Sequence, residues 1–167
     1  MQTTRSTRRC FYSLLVCCAL TIAACGDEVA ADLKDYSAHG FRDASELSDA
    51  MFKHHKLLSD SLGNGSLKFD EYQGRLKREI LPEISGIVDK YKSYKPKTRE
   101  VAKVQSEYVA AYESIHSAYS TMSEVQSNRD KEGLANANKQ VQDAIQERAV
   151  AWDHAQALGR AHPGWQR

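Results

Sequence analysis

The fold is decided by residues 98–127, which read TREVAKVQSEYVAAYESIHSAYSTMSEVQS. Large apolar side chains recur there every three or four positions, as on the buried face of an amphipathic α-helix. Proline is absent from the stretch, and turn-forming residues lie on both sides, at 95–97 and 127–130. We therefore predict one long helix. Its apolar stripe consists of Val101, Val104, Tyr108, Tyr112, Ile115, Tyr119 and Met122.

Three further segments have the same spacing, which predicts helices over residues 42–62, 67–94 and 131–161. Gly63 and Ser66 lie in the first break, where they suit a helix C-terminus and an N-cap. Pro82 lies inside the second segment and is expected to kink it or split it in two. The three stripes are Leu47, Met51, His54 and Leu58; Phe69, Tyr72, Leu76, Ile80, Ile87, Tyr91 and Tyr94; and Leu134, Val141, Ile145, Trp152 and Leu158.

Short turns between long helices favour antiparallel neighbours. The sequence therefore predicts an all-α fold, an up-down-up-down four-helix bundle over residues 42–167. Two alternatives remain open: a three-helix bundle with the first segment loosely docked, and an elongated antiparallel coiled coil. Residues 25–41 are expected to form a tether with some helical tendency, and residues 1–24 a signal peptide.

The N-terminus has the organisation of an export signal. Three arginines within residues 1–9 precede a mainly apolar stretch, Phe11–Ala24, which is too short to span a bilayer as a helix. The stretch ends in Ile22-Ala23-Ala24-Cys25, which resembles the lipobox of bacterial lipoproteins. The alternatives are an ordinary secretory signal and an uncleaved anchor.

The lipoprotein resemblance implies cleavage before Cys25 and acylation of its thiol, with several acyl chains holding the protein firmly on a membrane. It also implies a place in the envelope. An Asp after the cysteine favours the inner membrane in such proteins, whereas this chain has Gly26. We therefore expect the periplasmic face of the outer membrane, with the inner membrane as the alternative.

Composition limits the function classes. Cleavage of residues 1–24 from the 167-residue chain would leave 20 basic and 22 acidic residues, which does not suit a nucleic-acid-binding protein. Three of the four cysteines, Cys10, Cys17 and Cys18, lie in the signal. An acylated Cys25 could form no disulfide, so packing alone is expected to hold the fold.

One segment resembles a metal-binding motif. Residues 60–71 read DSLGNGSLKFDE and are similar to an EF-hand calcium loop, with candidate ligands Asp60, Asn64, Ser66 and Glu71. Leu62 stands at a position that needs an oxygen ligand, and EF-hands normally occur in pairs. The other interpretation is a glycine-rich turn between two helices, which we favour over calcium.

Two other ligand patterns are weaker. Glu113 and His116 resemble half of a di-iron Glu-x-x-His pair, but no second motif is present and we expect both on the surface. Met51 together with His154 or His162 could ligate a haem. A methionine on an apolar stripe is more often core filler, so no cofactor is expected.

Two charged residues fall on apolar stripes, Glu83 in the second helix and Arg148 in the last. Counting residues through the turns puts them at one level, which predicts an internal Glu83–Arg148 pair with tyrosine hydroxyls completing its hydrogen bonds. The alternative places one or both at the rim of the bundle. His54 is expected to be a hydrogen-bonded core histidine.

The sequence contains no convergent catalytic set and no glycine-rich phosphate loop, so we expect no enzyme. It predicts instead a lipid-anchored interaction module that binds an envelope protein, as pilotins and immunity lipoproteins do. Phe52 and Trp165 are candidate aromatic anchors for a partner. The alternative is a calcium or small-ligand binder.

Overall fold

Four long helices account for most of the chain in the computed structural model, which describes residues 28–166. Helix α1 comprises residues 28–35, a π-helical segment Tyr36–Phe41 and an α-helical part Arg42–Gly63. Helix α2 comprises Phe69–Arg75, a π-helical segment Leu76–Ile80 and Leu81–Ser93. Helix α3 spans Arg99–Glu124 and α4 spans Lys131–Ala161, followed by a short 3₁₀ turn, Pro163–Gln166. The part of the chain so described contains no strand, and the prediction of an all-α helical bundle is confirmed.

Side-chain caps define where two of the helices begin. Thr98 accepts a hydrogen bond from the Val101 amide at 3.5 Å at the start of α3, and Asp130 accepts one from Gly133 at 2.9 Å at the start of α4. These bonds satisfy amides that have no partner inside a helix. Gly65 takes the positive φ of 77° in the α1–α2 turn, rather than the predicted Gly63.

Pro82 does not end α2. The π-helical segment Leu76–Ile80 ends just before it, and the helix continues to Ser93. A proline lacks the amide that would bond four residues back. A π-helical turn changes the bonding pattern by one residue, so the chain absorbs the proline without ending the helix.

Residues 28–41 are part of the folded domain, not the tether that we expected. Val29, Leu33 and Tyr36 follow one another at helical spacing, and each is less than a tenth exposed. Asp32, which is 2% exposed, ties this segment to the α2–α3 turn by accepting hydrogen bonds from the amides of Lys97 and Thr98 at 2.9 and 2.7 Å.

The core is filled unevenly. Large side chains from α1, α2 and α3, such as Met51, Ile84 and Ile115, are fully buried. Helix α4 instead buries small residues, including Ala137 and Ala144, and packs mainly against α3. Its contacts with α1 are sparse, so a cleft runs between those two helices.

The predicted stripes of α1 and α4 are correct at Met51, Leu58 and Val141, which are buried, but wrong at Leu47 and Trp152. Leu47 is 47% exposed, and the buried positions of that turn are Ala44 and Ser48. Trp152 is 46% exposed, and Ala151 faces the core in its place. Short side chains made the true buried faces difficult to distinguish by hydrophobicity.

Candidate functional site

The cleft between α1 and α4 encloses a cavity of about 280 Å³. We call it the Arg148 cleft, after the single charged residue among those that line it. Helices α1 and α3 each contribute two residues one turn apart, α2 contributes one tyrosine, and α4 contributes three residues. The lining comprises Phe41 and Ser45 from α1, Tyr91 from α2, Tyr108 and Tyr112 from α3, and Arg148, Ala149 and Trp152 from α4.

Aromatic rings form the inner wall of the Arg148 cleft. Tyr91 and Tyr108 are stacked, with ring centroids 5.2 Å apart and planes 11° from parallel. Phe41 meets Tyr108 edge to face at 5.2 Å and lies 5.7 Å from the ring of Trp152. Such pairs fix ring positions more firmly than area burial alone. The wall is therefore built before anything occupies the cleft.

Arg148 is half-buried and has no carboxylate within ion-pair distance among residues 28–166. Its guanidinium carbon lies 5.1 Å from the centroid of the Phe52 ring, a cation–π contact. Its one hydrogen bond, to Ser48 Oγ, is 3.5 Å long. A guanidinium has five N–H donors. Most of the hydrogen-bonding capacity of Arg148 is therefore unused by side chains of the described domain.

One buried polar atom of the cleft has no hydrogen-bond partner among the described residues. The Tyr108 side chain is 2% exposed, and its hydroxyl has no hydrogen-bond partner in the structure. The neighbouring Tyr112 hydroxyl does have a partner, because it donates to Ser48 Oγ at 2.5 Å. Burial raises the pKa of Tyr108 and of Tyr91, while the positive charge of Arg148 opposes the rise. Both hydroxyls therefore stay protonated and can donate.

A second, smaller cavity of about 80 Å³ adjoins the Arg148 cleft across the Phe41–Trp152 ring pair. Leu33, Tyr36 and Trp165 line it. The Tyr36 hydroxyl and the Trp165 indole nitrogen are also buried without partners. Unsatisfied donors thus extend from the cleft towards the N-terminal end of α1.

The comparisons with known proteins give one match. Residues 7–128 match the model of a family described as EMYY-motif containing lipoprotein. The chain belongs to this lipoprotein family. No curated protein and no solved structure matches it.

Family membership indicates association with a membrane through a lipid anchor. It therefore confirms the sequence-based recognition of a bacterial lipoprotein. The predicted lipidation site, Cys25, lies outside the residues that the structure describes. Within residues 28–166, none of the helices has the length and apolar character needed to cross a membrane. The match ends at residue 128, so α4, which supplies Arg148 and Trp152, lies beyond it.

The predicted Glu83–Arg148 pair does not form in the lipoprotein. Glu83 Oε1 lies 2.8 Å from His54 Nδ1, and the same imidazole contacts Glu79 through Nε2 at 2.9 Å. Arg75 binds Glu79 in turn and lowers the pKa of that carboxyl. Glu83 therefore pairs with the half-buried His54 and not with Arg148. Arg148 does lie on an inward face of its helix, as predicted, but without its expected partner.

His54 and His55 are both part-buried, so His54 is hydrogen-bonded as expected but is not a core residue. The next residue, His55, contacts tyrosine hydroxyls. Its Nδ1 lies 3.0 Å from the Tyr119 hydroxyl and its Nε2 lies 3.0 Å from the Tyr72 hydroxyl, with Ser59 Oγ at 3.3 Å. Burial, with a smaller contribution from the charge of His54, lowers the pKa of His55 to about 4. We call these four residues the His55 layer.

The four candidate calcium ligands do not lie in one loop, because two of them belong to helices. Asp60 is still within α1 and pairs with Lys56 at 2.7 Å, while Glu71 is in the first turn of α2. Asn64 Oδ1 accepts hydrogen bonds from the amide and the hydroxyl of Ser66 at 3.0 and 2.6 Å. Over residues 28–166, no group of three or more His, Cys, Asp or Glu side chains could hold a metal ion. Residues 64–68 form the turn between α1 and α2.

The candidate ligands for di-iron and haem lie on the surface, in the core or at the end of a helix. Glu113 is exposed and pairs with Lys92 at 2.7 Å, and Met51 is fully buried in the core. His154 pairs with Glu107 at 2.9 Å on the surface. His162 follows the end of α4, where its amide bonds the Leu158 carbonyl.

The two predicted aromatic anchors are partly buried and pack on the core. Phe52 lies under Arg148, and Trp165 covers Gly159. The exposed aromatic side chain is Trp152, at the mouth of the Arg148 cleft. Sequence analysis placed the tyrosines of the cleft on helix stripes and expected tyrosine hydroxyls to complete a Glu83–Arg148 pair, but it did not predict a cleft. A concentration of hydroxyl-bearing rings opposite one arginine was the available signal.

Proposed function

We propose that this lipoprotein is a non-enzymatic binding module of the bacterial cell envelope and that the Arg148 cleft is its binding site. The observation that carries the proposal is a half-buried cation without a carboxylate partner in a preformed aromatic cavity. A charge taken out of water is costly unless it is paired. A cleft that leaves this arginine unpaired is therefore suited to bind a ligand.

The lipid anchor on Cys25 holds this site close to the membrane. Helix α1 is described from residue 28, three residues after the cysteine, and three residues span at most about 11 Å. The first turns of α1 lead directly into the residues that line the two cavities, from Leu33 to Ser45. We place the lipoprotein on the periplasmic face of the outer membrane, on the basis of Gly26.

The residues of the cleft support binding rather than catalysis. General acid–base chemistry needs a group whose pKa lies near the working pH. The titratable side chains that line the cavity are three tyrosines and an arginine. Burial moves the pKa values of Tyr91 and Tyr108 upwards, away from neutrality. These groups can hold a ligand by hydrogen bonds and charge.

Site-specific photo-crosslinking in living cells tests the binding site. A photoreactive phenylalanine analogue replaces Ala149, which lines the cleft, in the full-length lipoprotein, and replaces Gln142, exposed on the same helix, as the matched control. We expect an adduct of defined mass at position 149, none at position 142, and loss of the adduct when Arg148→Met is added. Equal labelling at both positions, or no adduct at position 149, would refute the proposed site.

The anchor is tested separately. Mass spectrometry of the native protein should find an acylated N-terminal Cys25, and membrane separation should place it in the outer-membrane fraction. Gly26→Asp should move it to the inner membrane, and Cys25→Ala should release it from both. An unmodified N-terminus would contradict the anchor, and an inner-membrane location of the native protein would contradict the assignment from Gly26.

A further inference from the structure

We propose that the ligand of the Arg148 cleft is a small carboxylate with a flat apolar body, such as a single aromatic ring. This inference rests on the proposed function, because it names the class of ligand that the same site takes. Three features of the cleft carry it: the unpaired guanidinium, the unsatisfied tyrosine hydroxyl and the shape of the aromatic wall.

The guanidinium determines the charged group. A planar guanidinium presents parallel N–H donors that match a carboxylate in a bidentate arrangement. Arg148 lies over the Phe52 ring and has no ion pair among residues 28–166. A cationic ligand is excluded by the same charge, although aromatic walls alone would suit one.

The Tyr108 hydroxyl supplies a further donor. It is buried, it lines the same cavity as Arg148, and it has no partner. A buried hydroxyl without a hydrogen-bond partner destabilises the folded protein. A ligand oxygen that accepts from Tyr108 would remove this cost on binding. Because burial raises the Tyr108 pKa, the hydroxyl donates and does not repel an anion by ionising.

The shape of the cavity determines the apolar body. The stacked Tyr91 and Tyr108 rings, parallel to within 11°, both line the cavity, and Trp152 borders the opening with nearly half of its surface exposed. Cavities for drug-sized ligands measure roughly 300–1,000 Å³. The cavity here, about 280 Å³, is just below that range and suits one ring with a short carboxylate arm.

Matched probes test the ligand class on the full-length lipidated protein in nanodiscs. The probes are 3-phenylpropanoate, its amide 3-phenylpropanamide, and phenethylamine, titrated by calorimetry and followed by ligand-observed NMR. We expect the carboxylate to bind about tenfold more tightly than the amide, since charge-assisted bidentate bonds are stronger than neutral ones. The amine should not bind.

Variants identify the groups responsible. Arg148→Met should lower the affinity for the carboxylate to that for the amide. Arg148→Lys should give an intermediate affinity, since it retains the charge but not the planar fork. Arg160→Met, on the exposed surface of α4, is the matched control and should bind as the wild type does. Tyr108→Phe should weaken carboxylate binding about threefold or more. Thermal unfolding of each variant establishes that it is folded.

Some outcomes would overturn the inference. Equal affinity for the carboxylate and the amide, or unchanged carboxylate binding by a folded Arg148→Met variant, would show that the guanidinium does not select the ligand. If no probe binds while Ala149 still crosslinks specifically in cells, the ligand class is wrong and the proposed binding site stands. Loss of the crosslink would refute the proposed function itself.

Discussion

The His55 layer and the Arg148 cleft are built from similar side chains, yet only one of them is complete. In both, tyrosines of α2 and α3 lie beside a nitrogen-bearing side chain, which is His55 of α1 in one and Arg148 of α4 in the other. In the His55 layer both ring nitrogens have tyrosine partners at 3.0 Å. In the Arg148 cleft the Tyr108 hydroxyl has no partner and the guanidinium has no carboxylate within the described domain.

This difference separates structural polar groups from binding groups. A buried network in which each group is satisfied stabilises the fold and specifies one arrangement. A partly satisfied network destabilises the folded protein until something completes it. The His55 layer therefore has the character of a structural network, and the contrast supports the proposal that the Arg148 cleft binds a ligand.

The largest effect should come from Asp32, which ties the N-terminal part of α1 to the α2–α3 turn. This buried carboxylate accepts hydrogen bonds from the Lys97 and Thr98 amides and, at 2.9 Å, from the Tyr94 hydroxyl. Asp32→Ala leaves these donors without their acceptor and should lower the free energy of unfolding by about 3–4 kcal/mol. Urea unfolding measures it, with the exposed Lys34→Ala two residues away as the control. A loss below about 1 kcal/mol would mean that residues 28–41 are a tether after all.

The His55 layer should make the lipoprotein sensitive to acid. The pKa of His55 is about 4 in the folded protein, below the ordinary value of 6.5, so the unfolded chain binds the extra proton between those values. Stability from the neutral imidazole is therefore full above pH 6.5 and is lost as the pH falls towards 4. We expect the wild type to lose about 2–3 kcal/mol more than His55→Gln over this range.

The measurement is urea unfolding of both proteins at several pH values. The variant carries the same carboxylates and the same His54, so the difference between the two curves isolates His55. Parallel curves would show that the imidazole is solvated in the folded state and that the layer is not closed.

Arg148 should behave in the opposite way to a structural residue. Removing a half-buried charge that has no counter-ion relieves its desolvation, so Arg148→Met should raise the free energy of unfolding by about 1 kcal/mol. The exposed Arg160→Met should leave it within about 0.5 kcal/mol of the wild type. A clear loss of stability in Arg148→Met, measured by urea unfolding without ligand, would mean that the guanidinium is satisfied by the protein.

Sequence patterns predicted the helices well because the large residues of α2 and α3 repeat at helical spacing. They failed for residues 28–41, which we expected to belong to a tether. In the structure a Cβ at Gly40 would lie 2.6 Å from the Tyr36 ring, so the glycine permits close packing inside a continuous helix. Val29, Leu33 and Tyr36 carried a usable signal, but acidic residues between them obscured it.

The site was harder to predict than the fold. Arg148 was placed correctly on an inward face. Its neighbours depend on the rotation of each helix about its own axis, and apolar periodicity determines that rotation only to within about one residue. A shift of one residue exchanges His54 with His55 and Trp152 with Ala151. Whether a hydroxyl has a partner depends on contacts between helices, and spacing along one helix does not contain that information.

The most direct test compares two tyrosines on the same helix. Tyr119 and Tyr108 are both at most 2% exposed in α3, but only Tyr119 has a hydrogen-bond partner. Urea unfolding of the ligand-free protein should show that Tyr119→Phe loses about 1 kcal/mol, while Tyr108→Phe loses nothing or becomes slightly more stable. Equal losses in the two variants would mean that the Tyr108 hydroxyl is satisfied within the folded chain. In that case the Arg148 cleft would be a closed part of the core and not a binding site.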